Sequence, residues 1–270
     1  MIRLAVRVER EQAELVLAEL LELAPSGVEE VAVDEGTVEY AVYGAPGELP
    51  ALPDLRAAAG LALVQIRTEE VADDWSERWR AFHQPLVLDG RLTVRPPWEA
   101  PGETPIDVVI DPGQAFGTGA HATTRLCLEL MLDEERPAGS FVDLGCGSGV
   151  LAILAAKLGW SPVIALDFDP ASVTATIENA AANEVKLDVR RFDMRSEQVP
   201  RASLVAANVL APPLIGWAAS MSKPPSKLIL SGILAGEGDR VLAAFAARGY
   251  RERERRRRAE WSVLALELDR

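Results

Sequence analysis

The chain has 270 residues, 49% of them hydrophobic, enough to fill more than one small core. Its 41 acidic and 28 basic residues leave a net charge of -13; that balance repels a nucleic-acid backbone unless basic residues gather on one face, and it favours a basic or amine-bearing partner. Cys127 and Cys146 form no CxxC pair and have no metal-ligand spacing, so neither a disulfide framework nor a zinc site is suggested, and no long uncharged apolar run is present to cross a membrane; we therefore expect a soluble cytoplasmic protein.

Ile2, Leu4, Val6 and Val8 alternate with Arg3, Ala5 and Arg7, the period of a strand with one buried face. From Glu11 the period becomes helical, with Ala13, Val16, Leu17, Leu20 and Leu21 on one side and Pro25 and Gly27 as the stop. Val31 and Val33, the turn Asp34-Glu35-Gly36, and Val38, Tyr40 and Val42 read as a hairpin. A short helix near Leu55 to Ala59 and a strand near Leu61 to Ile66 complete a βαββαβ order, the split βαβ or ferredoxin-like arrangement. This small α+β domain over residues 1–70 carries no conspicuous polar cluster, so binding or presenting a partner fits it better than chemistry.

Asp73 and Asp74 read as an N-cap for a helix bearing Trp75, Trp79 and Phe82, an aromatic stripe that packs against a neighbour within a helical linker over residues 71–85. Pro85 ends it. Leu86 to Val94 and Ile106 to Ile110 are strand-like and lead into a larger domain, residues 86–270. Asp111 to Thr124 is rich in glycine and hydroxyls and precedes a helical run from Leu126 to Leu132; such a loop can fold over a ligand, while His121 alone fits a capping role as well as any other.

From Ser140 onward short apolar strands alternate with helices: Phe141 to Asp143, Val163 to Asp167, Leu187 to Phe192, Leu204 to Asn208 and Leu228 to Leu230. Runs of this kind belong to a parallel sheet covered on both faces, so the fold class is α/β and doubly wound. Tyr250 to Leu268 reads as an antiparallel pair closing one sheet edge. The basic run Arg248 to Arg258 includes Glu252 and Glu254 and fits a solvated strand face better than a nucleic-acid patch.

Asp143-Leu144-Gly145-Cys146-Gly147-Ser148-Gly149 follows the first of these strands and opens a helix. Glycines there let a ligand approach the main chain, and Asp167, at the end of the next strand, is placed to accept from both hydroxyls of a ribose. A dinucleotide loop spaces its glycines GxGxxG to seat a pyrophosphate; GxGxG led by an acid disfavours pyrophosphate and suits a ligand with an ammonium group, such as S-adenosylmethionine. A nicotinamide oxidoreductase and a glycine turn that binds nothing are the rivals. Asn208, at the end of the fourth strand, could accept from an amine N–H and aim the nitrogen lone pair at an electrophile, or could simply occupy a turn.

Phe116-Gly117-Thr118-Gly119-Ala120-His121-Ala122-Thr123-Thr124, Asp143 to Gly149, Asp167 to Pro170, Asn208 to Ala211 and Ser231 to Leu234, in this order and at this spacing, resemble the ribosomal protein L11 methyltransferases, a family of class I S-adenosylmethionine-dependent enzymes. Ala120 and Ala122 stand where the family commonly has bulkier residues. The resemblance implies a methyltransferase sheet preceded by a ferredoxin-like domain that holds the protein substrate. It implies cofactor contacts from Thr124, Gly145, Gly147, Asp167 and Asn208, with Asp193 toward the adenine, and no assigned catalytic residue. Lysine and N-terminal amines of a ribosomal protein would be methylated by a monomer without direct nucleic-acid contact. Methylation of another protein, a nucleic-acid base or a small amine, and cofactor binding without turnover, are the alternatives.

Overall fold

The structure, a computed structural model, describes residues 2–13, 16–17, 20, 28–32, 36–44, 49, 55–56, 59–70, 83–112, 121–134 and 139–269. The Trp75 helix, most of the loop from Asp111 to Thr124 and the Asp34-Glu35 turn lie outside the described residues. The chain divides into two compact units, Met1–Phe82 and His83–Arg270.

In the first unit, β1 (Ile2–Glu9), β2 (Glu29–Ala32), β3 (Thr37–Gly44) and β4 (Leu63–Glu70) form one antiparallel sheet in the order β2-β3-β1-β4. The alternation read from the sequence sends Leu4, Val6 and Val8, with Val38, Tyr40 and Val42, to one face. That face buries Ala13, Val16 and Leu20, which keep helical spacing, together with Leu55 and Ala59. On β1 and β3 the intervening positions place Arg3 and Arg7 against Glu39 at 2.6 and 3.2 Å. The Arg3 hydrogen bond outweighs burial and holds the Glu39 carboxyl below its usual range.

The second unit opens with a separate small sheet. The stretch expected as a strand from Leu86 to Val94 is a hairpin, β5 (Leu86–Leu88) and β6 (Leu92–Arg95), because Asp89 and Gly90 both take positive φ, 49° and 65°, and reverse the chain. β7 (Ile106–Val109) pairs with β6 in parallel.

The main sheet contains β8 (Phe141–Leu144), β9 (Val163–Asp167), β10 (Asp188–Arg191), β11 (Leu204–Asn208), β12 (Lys227–Leu234), β13 (Tyr250–Arg258) and β14 (Trp261–Leu268). Their order is β10-β9-β8-β11-β12-β14-β13, parallel except for β14, which runs antiparallel to both its neighbours. The helices are α1 (Ala122–Leu132), α2 (Val150–Leu158), α3 (Pro170–Ala182), α4 (Ala211–Ser220) and α5 (Gly238–Ala246).

Because side chains alternate along a strand, the apolar runs feed two cores. Phe141, Leu204, Ala206 and Ile229 join the core that holds α1 and α2, whereas Val142, Val205, Ala207, Leu228 and Leu230 join the one that holds α4 and α5. Strand order reverses between β8 and β11, and the carboxyl ends of these strands therefore diverge into a crevice, the usual ligand position in an open α/β sheet.

Candidate functional site

The glycine loop leaves β8 at the crevice. Gly145, Gly147 and Gly149 have φ of 80°, 52° and 81°, conformations that cost other residues about 1–2 kcal/mol each. A Cβ on Gly145 would lie 2.5 Å from Val209 Cγ1, so the loop passes close to the segment after β11. Gly145 and Cys146 donate their N–H groups to Leu166 O, Gly149 donates to Cys146 O, and Gly147 donates to Asp167 Oδ2 at 2.9 Å. These four donors, which a phosphate-cradling loop would turn outward, are engaged within the protein.

Asp143 explains the rest of that departure. Its carboxylate is fully buried and its Oδ2 accepts from Ala152 N in the first turn of α2 at 3.0 Å, so the positive end of that helix already faces an acid. Burial pushes the carboxyl up to about 7. The sequence reading that this acid suits a ligand ammonium is corrected in one respect: the side chain has no exposure and faces the helix end, because loop and α2 close over it.

Asp167 ends β9. Its Oδ2 holds the glycine loop and its Oδ1 accepts from Asp169 N at 3.0 Å, which fixes the carboxylate at the crevice. Asp169 in turn caps α3 through Ala171 N and Ser172 N, with Pro170 in the first turn. Asn208 ends β11, and its Nδ2 donates to Thr124 Oγ1 at 3.3 Å, leaving Oδ1 as the acceptor. Thr124 is brought there by the amino-terminal turn of α1. His121 caps that helix, its Nδ1 accepting from Thr123 N, and Ser231 Oγ donates to Thr123 O at 3.1 Å. Burial lowers the His121 pKa and favours the neutral ring. Beside β11, Gly232 takes a φ of 77°, and a Cβ there would lie 2.5 Å from Val209 O.

Thr124, Gly145, Gly147, Asp167 and Asn208, the five positions singled out in the sequence, line one cavity of about 220 Å³. A second depression of about 380 Å³ shares Gly145, Asp167 and Val209 with it and adds Phe168 and Asp193. Asp193 is half-buried and its carboxylate is held by Arg195, which keeps it below the usual carboxylate range. Phe168 falls within the Asp167 to Pro170 motif but had no role assigned from the sequence; its ring is half exposed beneath the Arg191 and Arg195 guanidinium groups, 5.2 and 5.4 Å from the centroid. Its position directly after Asp167 was the available signal. Ser172 and Val209, which also line the first cavity, had none beyond their neighbours. Both cysteines are buried thiols, and among the described residues no cluster has the makings of a metal site.

A seven-stranded sheet in this order, with an antiparallel strand inserted beside the last parallel one and a glycine loop whose amides are turned inward, defines the class I methyltransferase fold. Within that class the chain belongs to the family described as ribosomal protein L11 methyltransferase (PrmA), which it matches over residues 1–268. A ribosomal protein L11 methyltransferase from Pelotomaculum thermopropionicum is 36% identical over 259 residues, 89% of this chain and 84% of that one. The enzyme of the same name from Symbiobacterium thermophilum is 39% identical over 178 residues, 64% of this chain, and the match spans only 59% of that relative's length. Among solved structures, a ribosomal protein L11 methylase from Lactobacillus delbrueckii subsp. bulgaricus superposes with a TM-score of 0.60 at 28% identity, over 70% of this chain and all of the other.

Proposed function

We propose that this chain moves methyl groups from S-adenosylmethionine to lysine side-chain and N-terminal amines of ribosomal protein L11. The convergence of Thr124, Gly145, Gly147, Asp167 and Asn208 on one cavity carries the reading, and membership of the family supports the substrate. The residues fit the cofactor. Gly145, with a φ of 80° and Val209 Cγ1 2.5 Å from where a Cβ would lie, lets bare main chain line the cavity, Asp167 offers a fixed carboxylate to a ribose diol, and the inward-turned loop amides favour a ligand without a pyrophosphate.

When bound, the cofactor supplies a methyl group already activated on a sulfonium, so positioning the acceptor is the principal task of the protein. With its Nδ2 tied to Thr124, Asn208 presents Oδ1 to accept an N–H of the incoming amine and orient its lone pair. A lysine amine of ordinary pKa, about 10.4, must give up a proton at a cost of roughly 4–5 kcal/mol at neutral pH, against a much smaller one for an N-terminal amine near 7.7–8.0. Burial beside a sulfonium favours the neutral amine and reduces both. His121 is not assigned as a base, because its Nδ1 lone pair serves the end of α1.

In this proposal residues 1–70 form a ferredoxin-like substrate-recognition domain, which the antiparallel order β2-β3-β1-β4 supports, and residues 86–270 perform the transfer, joined by a linker over 71–85. The net charge of -13 suits a basic protein partner. The chain would act in the cytoplasm as a monomer, without direct nucleic-acid contact. Incubation with labelled S-adenosylmethionine and purified ribosomal proteins and RNA is the test. Label on L11 is expected; label confined to RNA or to another protein would overturn the assignment.

A further inference from the structure

Helix α3 buries polar side chains along the face where a helix against a sheet normally buries apolar ones. Ser172, Thr176, Asn179 and the C-cap Asn183 are all buried and recur at helical spacing. Such a stripe is destabilising unless its hydrogen bonds are made; here Ser172 Oγ donates to the Asp169 carboxylate and the other three side chains bond backbone. Thr176 Oγ1 donates to Gly147 O and Asn179 Nδ2 to Ser148 O, each at 2.9 Å, so the helix holds two successive carbonyls of the glycine loop. Asn179 Oδ1 accepts from Asp111 N at 2.9 Å, just beyond β7. One turn on, Asn183 bonds both backbone groups of Val109, accepting from its N–H at 2.9 Å and donating to its carbonyl at 2.6 Å, but does not reach the glycine loop.

The asparagine amide of residue 179 therefore spans two segments far apart in sequence. Its acceptor is spent on the chain that leads from β7 toward α1 and Thr124, and its donor on the loop that lines the cavity. We propose that Asn179 is a positioning residue that couples occupancy of the cofactor cavity to the segment just beyond β7 at Asp111, a role that rests on the cofactor assignment above. A ligand that fixes the glycine loop fixes Ser148 O and with it the Asn179 amide, which strengthens the hydrogen bond to Asp111 N; by reciprocity, loss of that link weakens ligand binding. Asn183, the C-cap of the same helix, is likewise buried and bonds the adjoining end of β7 but lacks the loop contact, which makes it the internal control.

The test uses the full chain with S-adenosylhomocysteine as probe. In the parent, ligand should slow hydrogen exchange at the Asp111 amide by roughly tenfold. Asn179→Asp keeps an acceptor for Asp111 N but sets a carboxylate against Ser148 O; it should bind the probe roughly tenfold more weakly and lose the ligand-dependent slowing at Asp111. Asn183→Ala should lower the melting temperature while leaving probe affinity within about twofold. Indifference of the Asp111 amide to ligand in the parent, a reading that needs no variant, would overturn the coupling. So would an equal loss of affinity in the Asn183 variant, which would reduce Asn179 to scaffolding. If the parent fails to bind the probe at all, the cofactor assignment is overturned and the coupling with it.

Discussion

Replacing Asp143 by Asn removes a charge from the least accessible point of the candidate site. The carboxylate has no exposure, Oδ2 accepts from Ala152 N, and Oδ1 has no partner among the described residues. Burial raises its pKa from 3.8 to about 7. Between those values the folded chain retains a proton that the unfolded chain has released, so raising the pH favours unfolding: the penalty is absent below 3.8 and complete above about 7. At 1.36 kcal/mol per pH unit the whole penalty is on the order of 4 kcal/mol, of which about 2–3 kcal/mol falls between pH 5 and 7.5. Asp143→Asn keeps the acceptor for Ala152 and cannot ionise. It also places an NH2 group where Oδ1 was, at a cost of about 1–3 kcal/mol that does not vary with pH. The difference in unfolding free energy, variant minus parent, should therefore climb by about 2–3 kcal/mol from pH 5 to 7.5. Urea unfolding followed by circular dichroism at several pH values measures it, and the other titrating groups cancel in the difference. Parallel pH profiles for the two proteins would refute the assignment of a raised pKa to Asp143.

Gly145→Ala must adopt a φ of 80° and set its methyl 2.5 Å from Val209 Cγ1; calorimetry with S-adenosylhomocysteine should show affinity reduced by roughly tenfold or more, with about 1–2 kcal/mol of stability lost. Asn208→Ala removes the partner of Thr124 and the acceptor proposed for the amine, and the initial rate of methyl transfer should fall roughly a hundredfold, an unchanged rate being incompatible with the proposed role. Glu134→Gln leaves Lys227 and Arg253 without their buried counter-ion and should lower stability by about 2 kcal/mol in denaturant melts. Burial acts against the Glu134 charge, yet the two cations hold its pKa below 4.5, so this stabilisation is present above 4.5 and is lost as the pH falls through the folded value; the variant should lack that part of the acid transition.

Where apolar runs end at glycine or at a polar strand terminus, structure was legible in the sequence. Val163 to Asp167 and Leu204 to Asn208 match β9 and β11 to the residue, and the five positions chosen for the cofactor line one cavity. Three features were not legible. The Leu86 to Val94 stretch reads as one strand because its alternation survives the turn, and the Asp89-Gly90 signal is short. Leu228 to Leu230 marks only the first half of β12, which continues to Leu234 through Gly232 at positive φ. The polar residues of α3 look solvent-facing by composition, since nothing local says that backbone carbonyls of the glycine loop will meet them; that follows only from tertiary contact.

The basic run on β13 belongs to the same lesson and returns to the site. Expected as a solvated strand face, it is paired: Arg251 with Glu267 and Asp269, Arg255 with Glu252 and Asp239, Arg256 with Glu254 and Asp133, Arg253 with Glu134, and Arg258 with Glu129. Charge on an edge strand discourages pairing with another sheet, but three of these partners, Glu129, Asp133 and Glu134, lie on or just beyond the final turns of α1. Arg91 donates to Leu132 O at the same helix end, where a cation also complements the helix dipole. At the other end α1 is held by His121, by Ser231 through Thr123 O, and by Asn208 through the Thr124 hydroxyl. A helix fixed at both ends cannot slide along the sheet without breaking ion pairs at one and hydrogen bonds at the other. The arginines that look like a nucleic-acid patch in one dimension are in three dimensions part of what sets Thr124 opposite Asn208.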